Sequence, residues 1–189
     1  MLKKILGIAP KLESDGSYSP SKLALKLAVS AKTDFENISY KKYQGKKSKI
    51  LAIFTEQKNM KMQNGKLFST GNHPVEALLP MLHLKNAGFE FEIVTPTGKP
   101  VVFEMWAFPE KDEHVKAIYN EYKSSFEQPK KLQDFIDTSF TDSASYAAVF
   151  IPGGHGAMLG IPEDKNVGNI LNWAHQNDLF TITLCHGPG

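Results

Sequence analysis

The strongest constraint on the fold of this chain is a series of short apolar runs separated by segments with helical character. The apolar runs, rich in β-branched or aromatic residues, cover residues 49–54, 89–95, 147–151 and 180–184. The helical segments cover residues 74–87, 110–126, 129–136 and 162–175. Strands that alternate with helices predict a mostly parallel sheet covered by helices on both faces. We therefore expect an α/β sandwich in which the last run, like the first, is a buried strand.

The first 48 residues differ in composition from the rest. Residues 1–48 are rich in Ser, Pro, Asp and Lys, and their one helical signal covers 21–29, where Ser21 is a suitable cap. Because 41% of the 189 residues are hydrophobic, one domain with a sizeable core is expected. The sequence thus predicts an N-terminal arm over 1–48 and one α/β domain over 49–189.

Three local features refine this prediction. Residues 55–70 form a polar segment longer than a usual strand-to-helix connection, and structureless loops of that length are often functional. Residues 101–105 are a candidate strand. Asn72 is expected to cap the helix that follows it, and Gly88 to end that helix.

Composition restricts the classes of partner. The net charge is only +2, from 22 basic and 20 acidic residues, which gives no support for binding nucleic acid or a membrane surface through the overall field. A single cysteine excludes an internal disulfide and a Cys-x-x-Cys site, and it fits a reducing compartment. No stretch approaches the roughly 20 apolar residues of a membrane span. We expect a cytoplasmic protein without a membrane partner.

The single cysteine lies immediately after the last apolar run. Cys185 is followed by His-Gly-Pro, and a strand that breaks sharply at a nucleophile is typical of a nucleophile elbow. A helix N-terminus behind such an elbow favours the thiolate, but the sequence ends at Gly189, before such a helix. The general alternative for a lone cysteine is an inert buried residue. The strand-end position favours the nucleophile.

A glycine-rich turn, Pro-Gly-Gly-His-Gly at 152–156, follows the run 147–151 in the same way. Ligands of parallel α/β sheets bind beyond the carboxyl ends of the strands. The turn at 152–156 and the turn at 185 are therefore expected to share one pocket.

Four motifs, in this order and at this spacing, resemble one known family. They are Gly-Lys-Leu-Phe-Ser-Thr-Gly-Asn-His-Pro-Val-Glu at 65–76, Glu-Met-Trp-Ala-Phe-Pro at 104–109, Phe-Ile-Pro-Gly-Gly-His-Gly at 150–156 and Leu-Cys-His-Gly-Pro at 184–188. The family is the bacterial heat-inducible holding chaperone and glyoxalase III, also described as a protein and nucleic acid deglycase. It belongs to the ThiJ/PfpI (class I glutamine-amidotransferase-like) superfamily, which implies a flavodoxin-like sandwich. The resemblance spans about residues 17–188, and the motif at 65–76 is specific to this branch.

The resemblance implies a cofactor-free, cysteine-dependent enzyme of hydrolase or lyase type. Its substrates would be methylglyoxal, glyoxal and their early adducts with proteins or nucleotides, which connects it with stress response, methylglyoxal detoxification and DNA repair. It also implies binding of unfolded client proteins and a homodimer.

The same resemblance assigns residue roles. It implies a nucleophile at Cys185, a base at His186 and a partner acid or base at Glu76. Oxyanion-stabilising backbone N–H groups are implied at Gly153 and Gly154. The positions that it implies as shaping the pocket rather than reacting are His73 and His155.

Two departures from the family pattern affect these expectations. Family members continue past the elbow with further strands and the acid of a Cys-His-Asp triad, so we expect this chain to lack the C-terminal part of the family fold and to have low or no activity. The family's zinc ligands are His, Glu and His, whereas Lys85, Glu90 and Tyr122 stand at the aligned positions, with His83 nearby. A protonated lysine has no lone pair and tyrosine is a poor zinc ligand, so no metal site is predicted.

Alternatives stay open on the residues alone. Without the resemblance, Glu76 is adequately explained by the dipole of the helix that it begins, and Gly153 by a tight turn. A non-enzymatic holding chaperone makes Cys185 irrelevant, and an amidase or peptidase of the same superfamily is the third interpretation.

Overall fold

The computed structural model describes residues 6–188. The strands are β1 (Lys11–Leu12), β2 (Tyr18–Ser19), β3 (Lys49–Ile53), β4 (Asn59–Lys61), β5 (Leu67–Ser69), β6 (Glu90–Thr95), β7 (Lys130–Lys131), β8 (Tyr146–Ile151) and β9 (Phe180–Thr183). The helices are α1 (Lys22–Ala28), α2 (Pro74–Asn86), α3 (Glu113–Glu127), α4 (Leu132–Ser139) and α5 (Lys165–Gln176). Short 3-10 turns cover Met105–Ala107, Ser143–Ser145 and His155–Met158. Within these described residues, no helix is both long enough and apolar enough to cross a membrane.

A five-stranded parallel sheet, in the order β7-β6-β3-β8-β9, forms the centre of the molecule. Helices α2 and α3 pack on one face and helices α4 and α5 on the other. The parallel α/β sandwich expected from the alternating pattern is confirmed. All strands point the same way, so the carboxyl ends of β3, β8 and β9 meet at one edge.

The alternation of side chains along β3 supplies both halves of the core. Leu51 and Ile53 pack in the cluster under α4 and α5, whereas Ile50 and Ala52 pack in the cluster under α2 and α3. All four residues are at most 1% exposed. Because both faces of the strand are covered, its sequence is a continuous apolar run. Each buried Leu or Ile side chain stabilises the fold by about 1.5–3 kcal/mol relative to an exposed one.

Strand β9 is less buried than the sequence predicts. Phe180 at its start is 76% exposed, Thr181 is exposed as well, and the last two residues are only partly buried. Within the described residues, β9 pairs with β8 alone and is therefore an edge strand. The predicted burial of the run 180–184 is thus wrong, because one side of the strand has no neighbour there.

The predicted loop at 55–70 contains two strands, β4 and β5. They belong to a second sheet in the order β1-β2-β5-β4. Strands β4 and β5 form an antiparallel hairpin around the Asn64-Gly65 turn, and Gly65 has a φ of 77°. Asn-Gly between two short strands is a strong hairpin signal that the polar composition obscured. Strand β2 of the arm pairs in parallel with β5, so the arm joins this sheet. Ser21 caps α1, as predicted.

Two further expectations need correction. Residues 101–105 form no strand; Phe103 makes a single bridge with Asn72, and a 3-10 turn begins at Met105. The predicted helix at 129–136 begins only at Leu132, because the preceding two residues pair with β6 as β7.

Candidate active site

The turn after β9 exposes the only cysteine. Cys185 has a φ of 49°, in the left-handed region that L-residues rarely adopt, and its side chain is exposed. The backbone N–H of Gly187 donates to the carbonyl of Leu184 at 2.7 Å, which closes the turn around it. The abrupt end of the strand expected at Cys185 is therefore present.

The glycine-rich turn after β8 lies directly beside this cysteine. A Cβ atom on Gly153 would lie 2.1 Å from Glu76 Oε2 and 2.8 Å from Cys185 Cβ. Only glycine leaves room for both neighbours. The turn also brings Gly154, with a φ of 109°, against the backbone of His73. The structure thus brings the ends of β8 and β9 and the start of α2 to one place.

Asn72 holds the start of α2 in this position. Its side chain accepts a hydrogen bond from the N–H of Thr55 at 3.1 Å and donates to the carbonyl oxygens of Thr55 and Val102 at 3.0 and 2.7 Å. The prediction that Asn72 caps the helix is therefore wrong. His73 occupies the N-cap position, and its side chain forms no capping hydrogen bond. The N–H of His73 donates to the carbonyl of Gly153 at 2.9 Å and joins helix and glycine turn.

Glu76, in the first turn of α2, is directed towards Cys185. Its Oε2 atom is buried and forms no hydrogen bond among residues 6–188. Desolvation raises the pKa of the Cys185 thiol above its ordinary value, and the negative charge of Glu76 raises it further. The backbone N–H groups of His186 and Gly154 act in the opposite direction by hydrogen bonding to the sulfur. Because the protonated thiol is favoured, reaction at this sulfur requires a nearby proton acceptor.

His186 is such an acceptor. Its Nδ1 atom lies 3.2 Å from Cys185 Sγ, within hydrogen-bond distance for sulfur. Its ring stacks on the ring of His155, with centroids 5.2 Å apart and planes 29° apart. The neighbouring residues Cys185 and His186 can make the sulfur–nitrogen contact because the positive φ at Cys185 turns the chain sharply between them.

His155 contacts Glu104, a residue to which the sequence analysis assigned no role. Its Nδ1 atom lies 2.8 Å from Oε1 of Glu104, a residue only 1% exposed. The motif 104–109 contains Glu104, and the one local signal for its burial is that it lies within the run 101–105, which was predicted as a strand.

Comparison with known proteins agrees with the resemblance. No protein-family model matches the chain. Two curated proteins named protein/nucleic acid deglycase HchA, from Escherichia coli O157:H7 and from E. coli strain UTI89, are each 47% identical to it over 177 residues. The match covers 94% of this chain. This chain is therefore similar to the HchA proteins over nearly its whole length. It spans 62% of the length of those relatives.

Solved structures show the same fold as this chain. Glyoxalase III from Candida albicans matches with a TM-score of 0.57 and 26% identity, over 74% of this chain and 57% of that one. A 24 kDa rapid encystment protein from Francisella tularensis matches with a TM-score of 0.59 and 18% identity, over 74% and 59% of the two chains. The expected flavodoxin-like α/β fold is confirmed.

His73 connects this site to a cavity under the arm. The His73 Nδ1 atom is buried and forms no hydrogen bond within the described part of the chain. The cavity has a volume of about 410 Å³. Its walls come from the arm, from α2 and from the 3-10 turn at 105–107, and they include Val29, Thr33, Val75, Leu79 and Ala107.

The residues aligned with the family's zinc ligands either form other contacts or are exposed in this chain. Lys85 forms an ion pair with Glu121, and Glu90 is exposed. Tyr122 is partly buried, and desolvation raises the pKa of its phenol. The nearby His83 pairs through Nδ1 with the hydroxyl of Tyr40 at 2.9 Å. Among residues 6–188, no cluster of three or more His, Cys, Asp or Glu side chains could hold a metal ion.

Proposed function

We propose that this chain carries the site of a cysteine-dependent deglycase and glyoxalase III, acting on 2-oxoaldehydes and on their early adducts with amines and thiols. One observation carries the proposal. The exposed Cys185, on a left-handed elbow, has His186 Nδ1 at 3.2 Å, and its thiol also lies under the charge of Glu76, whose Oε2 atom is buried without a hydrogen bond in the described residues. The names of the relatives, a deglycase and a glyoxalase III, support the same chemistry.

In the first step, Cys185 adds to the aldehyde carbon of methylglyoxal. His186 Nδ1 takes the thiol proton as the carbon–sulfur bond forms, and the carbonyl oxygen becomes a hydroxyl of the hemithioacetal once it is protonated. The backbone N–H groups of Gly154 and His186 are the proposed donors to the negative charge at this stage. For Gly153, whose carbonyl accepts from His73, the corresponding N–H role stays a prediction.

In the second step, Glu76 moves a proton between the two carbons. It removes the proton from the carbon bound to sulfur and returns one to the neighbouring carbon, which converts the hemithioacetal into a thioester of lactate. Water then hydrolyses the thioester, releasing lactate and the thiol. The sum is methylglyoxal plus water giving lactic acid, and no electron donor or acceptor is consumed.

Deglycation differs only in the first step, which forms the same hemithioacetal from a different substrate. In an aminocarbinol adduct, Cys185 displaces the amine, so that the carbon–nitrogen bond breaks, the amine leaves with a proton and the same hemithioacetal forms. The later steps are shared. The exposure of Cys185 fits a substrate that is part of a protein or nucleotide surface.

Lactate formation from methylglyoxal, without added metal or glutathione, tests the proposal. The chain is compared with its Cys185→Ala variant, and the full-length E. coli relative serves as the positive control. Lactate that depends on Cys185 supports the proposal. An active relative beside a silent chain would contradict turnover by residues 1–189 and would agree with the low or absent activity expected from the resemblance. Release of ammonia from glutamine or peptide amides instead would favour the amidase interpretation.

A second candidate function, holding of unfolded clients, rests on the surface of the arm. Most large apolar side chains that are exposed in the described part of the chain lie in this segment, namely Leu6, Ile8, Leu12, Leu23, Leu27, Ile38 and Tyr43. Exposed apolar surface of this kind binds unfolded chains. Suppression of aggregation that survives Cys185→Ala but falls on Leu27→Lys would support this function. Suppression that disappears with Cys185→Ala would count against it.

A further inference from the structure

Glu104 is a buried carboxylate with a defined set of partners. Its side chain is 0% exposed, and Oε1 accepts hydrogen bonds from Thr70 Oγ1 at 2.7 Å and from the backbone N–H of His155 at 3.2 Å. The same oxygen lies 2.8 Å from His155 Nδ1. A carboxylate removed from water is costly unless it is hydrogen-bonded or paired with a cation, so the three contacts hold Oε1 in position, whereas Oε2 is buried without a partner among residues 6–188.

The backbone of Glu104 is fixed as well. Its N–H donates to the carbonyl of Asn72 at 2.9 Å, and its own carbonyl accepts from Ala107 at 2.7 Å. The carboxylate is therefore tied to the same segment that positions the start of α2. Glu104 and His155 form one rigid unit at the rim of the site.

The contact with Glu104 determines the orientation of His155. A carboxylate accepts, so Nδ1 of His155 carries the proton and Nε2 is left on the opposite edge of the ring. One face of the ring meets the edge of Phe68, with centroids 5.4 Å apart and planes at 84°. The ring also stacks on His186, whose Nδ1 atom contacts Cys185. The contacts thus run without interruption from Glu104 through His155 and His186 to the sulfur.

We propose that Glu104 and His155 are positioning residues for His186. Glu104 holds the ring of His155, and the stacked ring of His155 holds the plane of His186 so that Nδ1 faces Cys185 Sγ. This inference rests on the proposed function of the Cys185–His186 pair. It assigns the task of orienting the base to a carboxylate that acts through a second imidazole, much as outer ligands orient the histidines of metal sites.

The charges at the site are consistent with this arrangement. The titratable groups gathered there are Cys185, Glu76, His186, His155 and Glu104. A protonated His155 alone would place a like charge beside an imidazolium at His186. The carboxylate of Glu104, 2.8 Å from His155 Nδ1, would offset that charge.

A double-mutant cycle on thiol reactivity tests the inference. The rate of Cys185 alkylation by iodoacetamide is measured from pH 6 to pH 10 for the native chain, Glu104→Gln, His155→Phe and the double variant. We expect each single change to slow alkylation near neutral pH about fivefold and to move the pH profile upwards, within the range of coupling between contacting residues. We expect Glu104→Gln to have no further effect in the His155→Phe background, because phenylalanine keeps a flat ring but cannot be held by Glu104.

A matched control distinguishes positioning from general damage. Glu92 is a mostly buried glutamate, 14% exposed, that accepts from the hydroxyl of Tyr146 at 2.6 Å in another part of the sheet. Glu92→Gln should leave the alkylation profile unchanged. Equal slowing by Glu104→Gln with and without His155, or an unchanged profile in either single variant, would overturn the inference.

Two features keep this test decisive. His155 has a side chain that is 40% exposed, so His155→Phe carries the test even if Glu104→Gln unfolds the chain. Alkylation requires no turnover of methylglyoxal. Failure of lactate formation would therefore contradict the proposed function alone. Alkylation profiles that do not change in the single variants would contradict the positioning role alone.

Discussion

The two sides of the candidate site differ in how their carboxylates are held. On the α2 side, Glu76 Oε2 faces the cysteine, is buried and has no hydrogen-bond partner among residues 6–188. On the other side, Glu104 Oε1 accepts from Thr70 and from two groups of His155. Glu104 Oε2 is likewise buried without a partner in that range, so the two carboxylates differ at Glu104 Oε1, which three donors hold, and in the thiol of Cys185, on which the charge of Glu76 acts. This difference is consistent with the two proposed roles, proton transfer for Glu76 and positioning for Glu104.

The sharpest way to break this comparison is Glu76→Gln. Removal of the negative charge should lower the pKa of the Cys185 thiol, because Glu76 contributes to its elevation, so alkylation near neutral pH should become faster. Turnover of methylglyoxal should nevertheless fall by about 100-fold or more, since an amide cannot transfer the proton between the two carbons. Parallel measurements of alkylation and lactate formation check both signs. A loss of alkylation and turnover together would show that Glu76 supports the fold rather than the reaction.

Gly153→Ala should damage the contact between the two sides. A methyl group at this position would lie 2.1 Å from Glu76 Oε2 and 2.8 Å from Cys185 Cβ, so one of them must move. We expect a loss of about 1–3 kcal/mol in the free energy of unfolding, together with the loss of turnover. Urea denaturation measures the first and lactate formation the second.

Gly168→Ala is the matched control for that substitution. Gly168 lies within α5, and a Cβ atom there would meet nothing within 4 Å. Alanine should stabilise the chain by about 0.5–1 kcal/mol, because it has the higher helix propensity, and turnover should not change. Similar destabilisation by both changes would contradict the close approach described at Gly153.

The smallest expected effect is on the pH dependence of thermal stability. The pKa of Cys185 is raised above its ordinary value of 9.0, so the folded chain holds the thiol proton more tightly than the unfolded chain. This contribution is complete below about pH 9 and is lost as the pH rises through the folded-state pKa. The native chain should therefore lose more thermal stability between pH 8 and pH 10 than Cys185→Ala does. Identical slopes in the two proteins would show that the thiol is not perturbed.

The sequence predicted the central sheet because its strands are covered on both faces. Strands β3 and β8 are continuous apolar runs, and no other location than a sandwich interior accommodates them. The elbow at Cys185 could be predicted from a different local signal, because a strand that ends at Cys-His-Gly-Pro leaves few options. Both features depend on neighbours in sequence.

The features that escaped prediction depend on contacts between distant segments. Glu104 lies 51 residues from His155 and 34 from Thr70, so its burial follows from the way three segments meet. Asn72 has the sequence position of a helix cap, but backbone groups of Thr55 and Val102 lie close enough to take its side chain. Long-range competition for one polar side chain cannot be inferred from a local pattern. The role assigned to His155, shaping the pocket, stays a prediction that the proposed positioning role would refine.

The left-handed backbone at Cys185 has a consequence for how this protein would respond to selection. A non-glycine residue in that conformation costs roughly 1–2 kcal/mol, and glycine adopts it without this cost. Cys185→Gly should therefore melt at a higher temperature than Cys185→Ala, although both lack the sulfur. A screen for thermal stability alone would remove the reactive group from this position, so that stability and reactivity are opposed at a single residue.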